Sequence, residues 1–348
     1  MADSHRLDYI SLRRWQPADG YFDLGAHLRL ALPRRVLMPL AVATMASVNE
    51  LKTGGSEHAV LQVLLHLMQR GLRMFVDSGA NEGSWALLAS AHGSRVVAIE
   101  PQQHCLNLLK AAMNASQLTG IMTYNYLLTP CNQSACQHLS MLVPDDQCHP
   151  TSSFLPEVGR VSDVTAPGRA QLRRSTTRVR VGAASLDSII GAEHKRVDLW
   201  HLDVEGSEVL ALRSASKLFS EQRILRLMLE CIPYRWKEHG FDLSRGLQTT
   251  RKILSGWYCL SMCAPYRSFD WSEAGARRVL ETIVRHDGRT AEYRTVCPNV
   301  YCVAPELRSE MEKMRRTLRL GIDPLVSIRR DASSSWLASS MPWPLSSG

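Results

Sequence analysis

Apolar and polar positions in the first half of the chain predict helices and strands in regular turn. From Glu57 to Arg70 the apolar residues Val60, Leu61, Val63, Leu64, Leu65, Leu67 and Met68 cover one wide helical face. Gly71 follows, the residue tolerated just past a helix end. Arg73 to Asp77 is a short apolar run entering a glycine-rich turn, and it reads as a buried parallel strand with a helix over Ser84 to His92 behind it. Arg95 to Glu100 is a second such strand. The helix after it carries Cys105, Leu106, Leu108, Leu109, Ala112 and Met113 on its apolar side, and Ile121 to Leu128 makes a third strand. Strand, helix, strand, helix, strand in that order calls for a mostly parallel, doubly wound α/β sheet with right-handed crossovers.

Residues 129–176 break this rhythm with Pro, Ser, Asp and Gly, and read as a long insertion around a short strand at Leu139 to Val143. Thr177 to Val181 alternates as an edge strand does. Val197 to Leu202 is a further core strand, Ser207 to Ser214 a helix and Ile224 to Glu230 another strand. Cys231 to Tyr266 supplies a helix and a strand, Val300 to Val303 the last strand, and Glu310 to Leu320 a charged helix. The apolar run Val36 to Val48 is expected to be a buried helix. The Ser-rich tail from Asp331 is expected to be disordered. The predicted organisation is an N-terminal extension over 1–55, one catalytic domain over 56–306 with the insertion at 129–176, and a helix and tail over 307–348.

Composition narrows the class without naming a chemistry. With 348 residues, 45% hydrophobic and 21% charged, the chain can bury a substantial core and is not disordered throughout. Its longest mainly apolar run falls short of the roughly 20 residues that cross a bilayer, so no transmembrane segment is expected. The formal charge of +8 collects in two places: six arginines against Asp163 between Arg160 and Arg180, and seven basic against four acidic residues between Glu306 and Arg330. Aromatics are not interleaved with the first arginine cluster, which speaks against a single-strand nucleic-acid platform. The nine cysteines include no CxxC pair, and their odd count leaves at least one unpaired in any intramolecular disulfide scheme. They are expected to be reduced, in a cytoplasmic protein.

The chemistry concentrates at two strand ends. Phe75-Val76-Asp77-Ser78-Gly79-Ala80-Asn81-Glu82-Gly83-Ser84 is a strand, a turn and a helix start. Its glycines let backbone pass close to a ligand. Ile99-Glu100-Pro101 ends the second strand, where a carboxylate accepts two hydrogen bonds from a ribose diol. The spacing is not the G-x-G-x-x-G of NAD sites. Asp77, before the first glycine, suits a ligand ammonium such as the amino-acid end of S-adenosylmethionine.

These blocks, with Val197-Asp198-Leu199-Trp200-His201-Leu202-Asp203-Val204-Glu205-Gly206-Ser207-Glu208 and Ser185-Leu186-Asp187-Ser188-Ile189, resemble the FkbM-type S-adenosylmethionine-dependent methyltransferases over residues 57–232. The resemblance implies a Rossmann-like class I methyltransferase fold and methyl transfer to a hydroxyl oxygen of a sugar, lipid or secondary metabolite. It implies S-adenosyl-L-methionine as cofactor, bound by Asp77, Gly79, Ala80, Asn81, Gly83, Glu100 and Pro101. A small-molecule or glycan acceptor is expected as partner, with nucleic acid disfavoured. His201 stands where that family commonly has lysine, so the lysine's duty does not carry over.

From the residues themselves, Asp203, His201 and Glu205 gather at the carboxyl edge of the sheet and are the candidates for the base that takes the acceptor's proton. Glu230 borders the acceptor pocket, and Glu208 falls to the helix surface or a packing role. No resident metal is expected, although Asp203, Glu205 and Glu230 could gather around a divalent ion. Two other readings stand beside this one: an NAD-dependent oxidoreductase using the same crevice, and a non-catalytic S-adenosylmethionine-binding module.

Overall fold

A computed structural model of the chain describes residues 20–41, 56–131, 139–144, 148, 153–154, 176–191, 194, 196–262, 266, 268–269, 271 and 299–320. The chain begins there with β1 (Tyr21–Asp23) and α1 (Leu24–Leu28), whose first turn Asp23 caps by accepting the Ala26 N–H at 3.1 Å. β2 (Leu37–Pro39) returns antiparallel to β1. The helix expected over Val36 to Val48 is therefore replaced by strand at 37–39, and residues 42–48 lie outside the described ones. Proline explains the change: Pro39 has no N–H for a helix interior, whereas a strand at a sheet edge accepts it. Leu24, Val36 and Met38 bury completely, so this extension is part of the core.

Next come α2 (Ser56–Gln69), β3 (Met74–Ser78), α3 (Ser84–Ala91), β4 (Arg95–Ile99), α4 (Gln103–Ser116) and β5 (Ile121–Tyr124). The third predicted strand divides at Asn125. Its side-chain amide donates to the carbonyls of Glu100 and Pro101, at 2.9 Å each, and the chain turns out of the first sheet into β6 (Tyr126–Leu128). β7 (Leu139–Pro144), β8 (Ser153–Phe154) and β9 (Thr176–Ala184) complete a second sheet of order β6-β9-β7-β8. The segment expected as an edge strand, Thr177 to Val181, pairs with β7 on one side, and β9 meets β6 further along, at Gly182, Ala183 and Ala184. The inserted region contributes a sheet of its own, and the arginine-rich stretch 155–175 lies outside the described residues.

The chain then forms α5 (Leu186–Ile190), β10 (Leu199–Leu202), α6 (Glu208–Ser214), α7 (Ser216–Ser220) and β11 (Arg226–Glu230). A 3₁₀ helix over Pro233–His239 leads to α8 (Leu243–Ile253), β12 (Tyr258–Ser261), β13 (Ser268–Phe269), β14 (Asn299–Val303) and α9 (Arg308–Leu320). The main sheet has eight strands in the order β13-β12-β14-β11-β10-β3-β4-β5. β5, β4, β3, β10 and β11 run parallel, and β14 is antiparallel to both of its neighbours, β11 and β12. The chain winds outward from β3 through β4 to β5, then restarts at β10 and winds the other way. That reversal leaves a crevice at the carboxyl ends of β3 and β10, the place where open α/β sheets bind ligands.

Apolar side chains cover both faces. Phe75, Ala98, Leu199 and Met228 face α2 and α3, while Val76, Val97, Trp200 and Leu227 face α6 and α8. α9 closes the first face with Met311, Met314 and Leu318, and Arg226 joins it to the sheet through two 2.6 Å bonds to Glu310. The Ser-rich tail from Asp331 lies outside the described residues. Among those residues no helix is long and apolar enough to cross a membrane.

The cysteines correct the sequence reading. Cys105 is bonded to Cys148 and Cys259 to Cys302, Cys131 is also in a disulfide, and Cys231 is buried and free. Cys259 and Cys302 are direct partners across the antiparallel pair β12/β14, a register that cysteine spacing in the sequence does not disclose. The expectation of reduced cysteines, on which a cytoplasmic setting rested, gives way.

Candidate active site

At the crevice, the turn after β3 is pinned to β4. The N–H groups of Gly79 and Ala80 both donate to the Ile99 carbonyl, at 2.9 and 3.1 Å. Gly79 has φ +77, and a Cβ there would overlap the Asp203 carbonyl oxygen, so only glycine lets this turn pass beneath the end of β10. Asn81 also takes left-handed backbone, at φ 52, a conformation asparagine tolerates better than most residues. Its N–H donates to Glu100 Oε2 at 3.0 Å, and the Gln102 N–H to Glu100 Oε1 at 2.8 Å. Burial pushes the Glu100 carboxyl up to about 7 despite those two donors. Ala80 is buried under the turn, Gly83 precedes the first residue of α3, and Pro101 follows Glu100 into the loop before α4.

Asp77 and His201 are register partners on neighbouring parallel strands, so they share a face at the same height. The His201 Nδ1 donates to Asp77 Oδ1 at 2.9 Å, with Asp77 0% and His201 2% exposed. The second Asp77 oxygen is buried and has no hydrogen-bond partner among the described residues. The Trp85 ring meets the imidazole edge-on at 6.0 Å between centroids. Burial alone would lower the His201 pKa. The hydrogen bond to Asp77 and the charges of Asp77, Asp203 and Glu57 outweigh it and raise the pKa.

A third group lies just beyond the strand ends. Asp203 follows β10, its N–H donating to the Ser78 carbonyl at 2.9 Å. Oxygens of Asp203, Glu205 and Glu230 all lie within 4.8 Å of one another. Burial, then the Asp203 charge, pushes the Glu205 carboxyl up to about 8, while the Arg235 guanidinium opposes the rise. Burial and the charges of Asp203 and Glu205 hold Glu230 well above the usual carboxylate range. Glu205 has φ 53, a left-handed conformation that costs a non-glycine residue on the order of 1–2 kcal/mol. Such backbone outliers persist where the surroundings fix them, which is common at functional sites. Of the candidate bases, then, Asp203 and Glu205 come together with Glu230, while His201 sits apart with Asp77.

The sequence reading left out three contributors. Arg235, on the 3₁₀ helix after β11, pairs with Glu205 and lies 3.7 Å from Glu238. Glu57 at the start of α2 adds its charge to the fields at both His201 and Glu230. The Cys148 sulfur, tied to α4 through Cys105, packs against the Asn81 side-chain oxygen. All three reach the site through tertiary contacts; Pro233, starting a turn directly after a strand end, was the one local sign that the chain doubles back near Arg235. Of the two places expected for Glu208, helix surface or packing role, the structure shows the second: it is 0% exposed, accepting the Gly206 N–H at 2.6 Å and the Trp236 Nε1–H at 2.7 Å.

The strand order, β14 reversed between β11 and β12, and the crevice at the β3/β10 switch define a Rossmann-like class I methyltransferase fold. Residues 77–244 match the family model described as the Methyltransferase FkbM domain. No curated protein matches the chain. Among solved structures, monomeric WbdD is 14% identical with a TM-score of 0.33, over 72% of this chain and 41% of that one. A second WbdD structure, described as a bifunctional kinase-methyltransferase, is 14% identical with a TM-score of 0.34, over 71% and 38%. The METTL16 MTase domain is 10% identical with a TM-score of 0.31, over 71% and 66%. The chain thus spans less than half the length of the WbdD chains it matches.

Proposed function

We propose that this domain transfers the methyl group of S-adenosylmethionine to a hydroxyl oxygen of a sugar, a lipid or a secondary metabolite. The observation that carries the reading is the buried Asp77 oxygen with no donor among the described residues, at the sheet's switch point and beside a turn that only glycine allows. A carboxylate oxygen buried without a partner is costly, and the ammonium of an amino acid supplies the missing N–H. Glu100, fixed by two backbone N–H groups at the end of the neighbouring strand, keeps lone pairs free for a ribose diol. The residues present therefore fit an aminoacyl nucleoside, with Gly79, Ala80, Asn81 and Gly83 forming the turn and Pro101 following the sugar's carboxylate.

When bound, S-adenosylmethionine supplies an electrophilic methyl group on a sulfonium. The chain's part is to orient the acceptor and take its proton. Orientation alone is worth on the order of 7–11 kcal/mol and a placed base about 10²–10⁴-fold. Asp203 serves as that base: burial and the charge of Asp203 push the Glu205 carboxyl up to about 8 and raise Glu230 in the same direction, which makes both poorer proton acceptors. Arg235 fixes the Glu205 carboxyl at the edge of the same group. The catalytic domain is centred on residues 56–306, and buried residues of β2 and α9, outside those bounds, complete its core.

The test is transfer of a tritiated methyl group from S-adenosylmethionine to pooled glycan, lipid and small-molecule fractions by the full chain. The expected product is an ether, stable to alkali and heavier by one methylene. Label found only in an alkali-labile ester or in an amine rejects the hydroxyl acceptor, and no transfer to any fraction rejects the activity.

A further inference from the structure

The Asp77 carboxylate could rotate freely unless something on the protein held it, and the turn beside it does not. The Gly79 and Ala80 N–H groups go to the Ile99 carbonyl and the Asn81 N–H to Glu100, so none is spent on Asp77. Among the described residues its hydrogen bond comes from His201 alone, across the two strands that flank the switch point. Trp85 packs against the imidazole edge and limits its rotation. We infer that His201 is a positioning residue for donor binding: its Nδ1–H fixes one oxygen of Asp77 and thereby presents the other to the donor's ammonium. This rests on the donor reading above and takes His201 out of the set of proton acceptors.

The geometry separates this role from that of a base. The imidazole is 2% exposed and committed to Asp77, whereas the carboxylates of Asp203, Glu205 and Glu230 form their own group beyond the strand end. The charges of Asp77, Asp203 and Glu57 all favour the imidazolium, a form that has no lone pair for an acceptor's proton. A positioning residue changes donor affinity, while a base changes turnover.

The experiment is a double-mutant cycle on donor affinity, measured by calorimetry with S-adenosylmethionine and the full chain. His201→Ala weakens binding about 10–100-fold, as expected for losing a hydrogen bond to a charged group. Asp77→Asn weakens it comparably, and the double variant is no weaker than Asp77→Asn alone. His201→Asn, whose side-chain amide nitrogen stands where Nδ1 stood, returns affinity to within a few-fold of wild type. It also guards against misfolding, since it leaves no buried carboxylate without a partner. Additive effects in the cycle, or no recovery in a folded His201→Asn variant, overturn the inference, as does turnover lost with donor affinity unchanged. If wild type binds no S-adenosylmethionine, the donor reading falls and this role falls with it; if wild type binds and the cycle is additive, only this role falls.

Discussion

Glu208 turns two groups inward that would otherwise be stranded. The Gly206 N–H and the Trp236 indole N–H both end on its carboxylate, and burial pushes that carboxyl up to about 7. Gly206 has φ +103, and a Cβ there would collide with the Arg235 side chain, so the loop after β10 and the 3₁₀ helix meet at one point. Glu208→Ala strands both donors. It is expected to cost about 2–4 kcal/mol, from roughly 1–3 kcal/mol per buried unsatisfied group, in equilibrium urea unfolding. A cost near zero would mean the loop finds other partners. The sequence reading identified Asp203, Glu205 and Glu208 as one block but left the last between helix surface and packing, because a short helix of mixed residues has no periodicity that tells inside from outside. The Asp77–Gly83 turn was legible, since its glycines and strand-end acids have a local cause. The bond between Asp77 and His201 was not, because strand register is set by the whole sheet.

Strands with continuous apolar runs were the most readable elements. Met74–Ser78, Arg95–Ile99 and Arg226–Glu230 fall where buried parallel strands were expected, since fully covered strands leave no polar alternation to misread. The second sheet was hidden for the opposite reason: β6 reads as a continuation of β5, and only the Asn125 amide, tied to two carbonyls of a different loop, separates them. Disulfide pairing was also hidden. Each described bridge spans 43 residues of sequence and joins elements that the fold makes adjacent: β12 to β14, and α4 to Cys148. Replacing Cys259 and Cys302 together with alanine is expected to lower stability by about 2–4 kcal/mol, through the freedom returned to the unfolded chain. Thiol titration of the denatured, unreduced protein should find fewer than the nine thiols of the sequence. Nine free thiols would contradict both bridges.

The protein as a unit should be sensitive to pH because so many of its buried groups are acids. Unfolded glutamates lose their protons near 4.5, whereas in the fold Glu100 and Glu208 keep theirs to about 7 and Glu205 to about 8. Glu230 is raised in the same direction. The folded state binds more protons across this window, so stability falls as pH rises through it. His201, raised above 6.5, acts the same way: its contribution is complete below that value and is lost as pH rises through its folded value. Glu310, lowered by Arg226, acts oppositely, and its contribution is lost as pH falls below 4.5 through its folded value. The midpoint of urea unfolding is therefore expected to peak near about pH 5 and decline toward about pH 8, less steeply in Glu230→Gln. A midpoint that rises over that interval would show the buried carboxyls to be ionised and paired.

The identity of the ligand at the β3/β10 switch can be settled by titrating the full chain calorimetrically with S-adenosylmethionine and, separately, with NAD. Saturable one-to-one heat with the first, abolished by Asp77→Ala, and none with the second is the expected result. Binding of NAD with no response to S-adenosylmethionine would contradict the donor assignment on which the proposed chemistry stands.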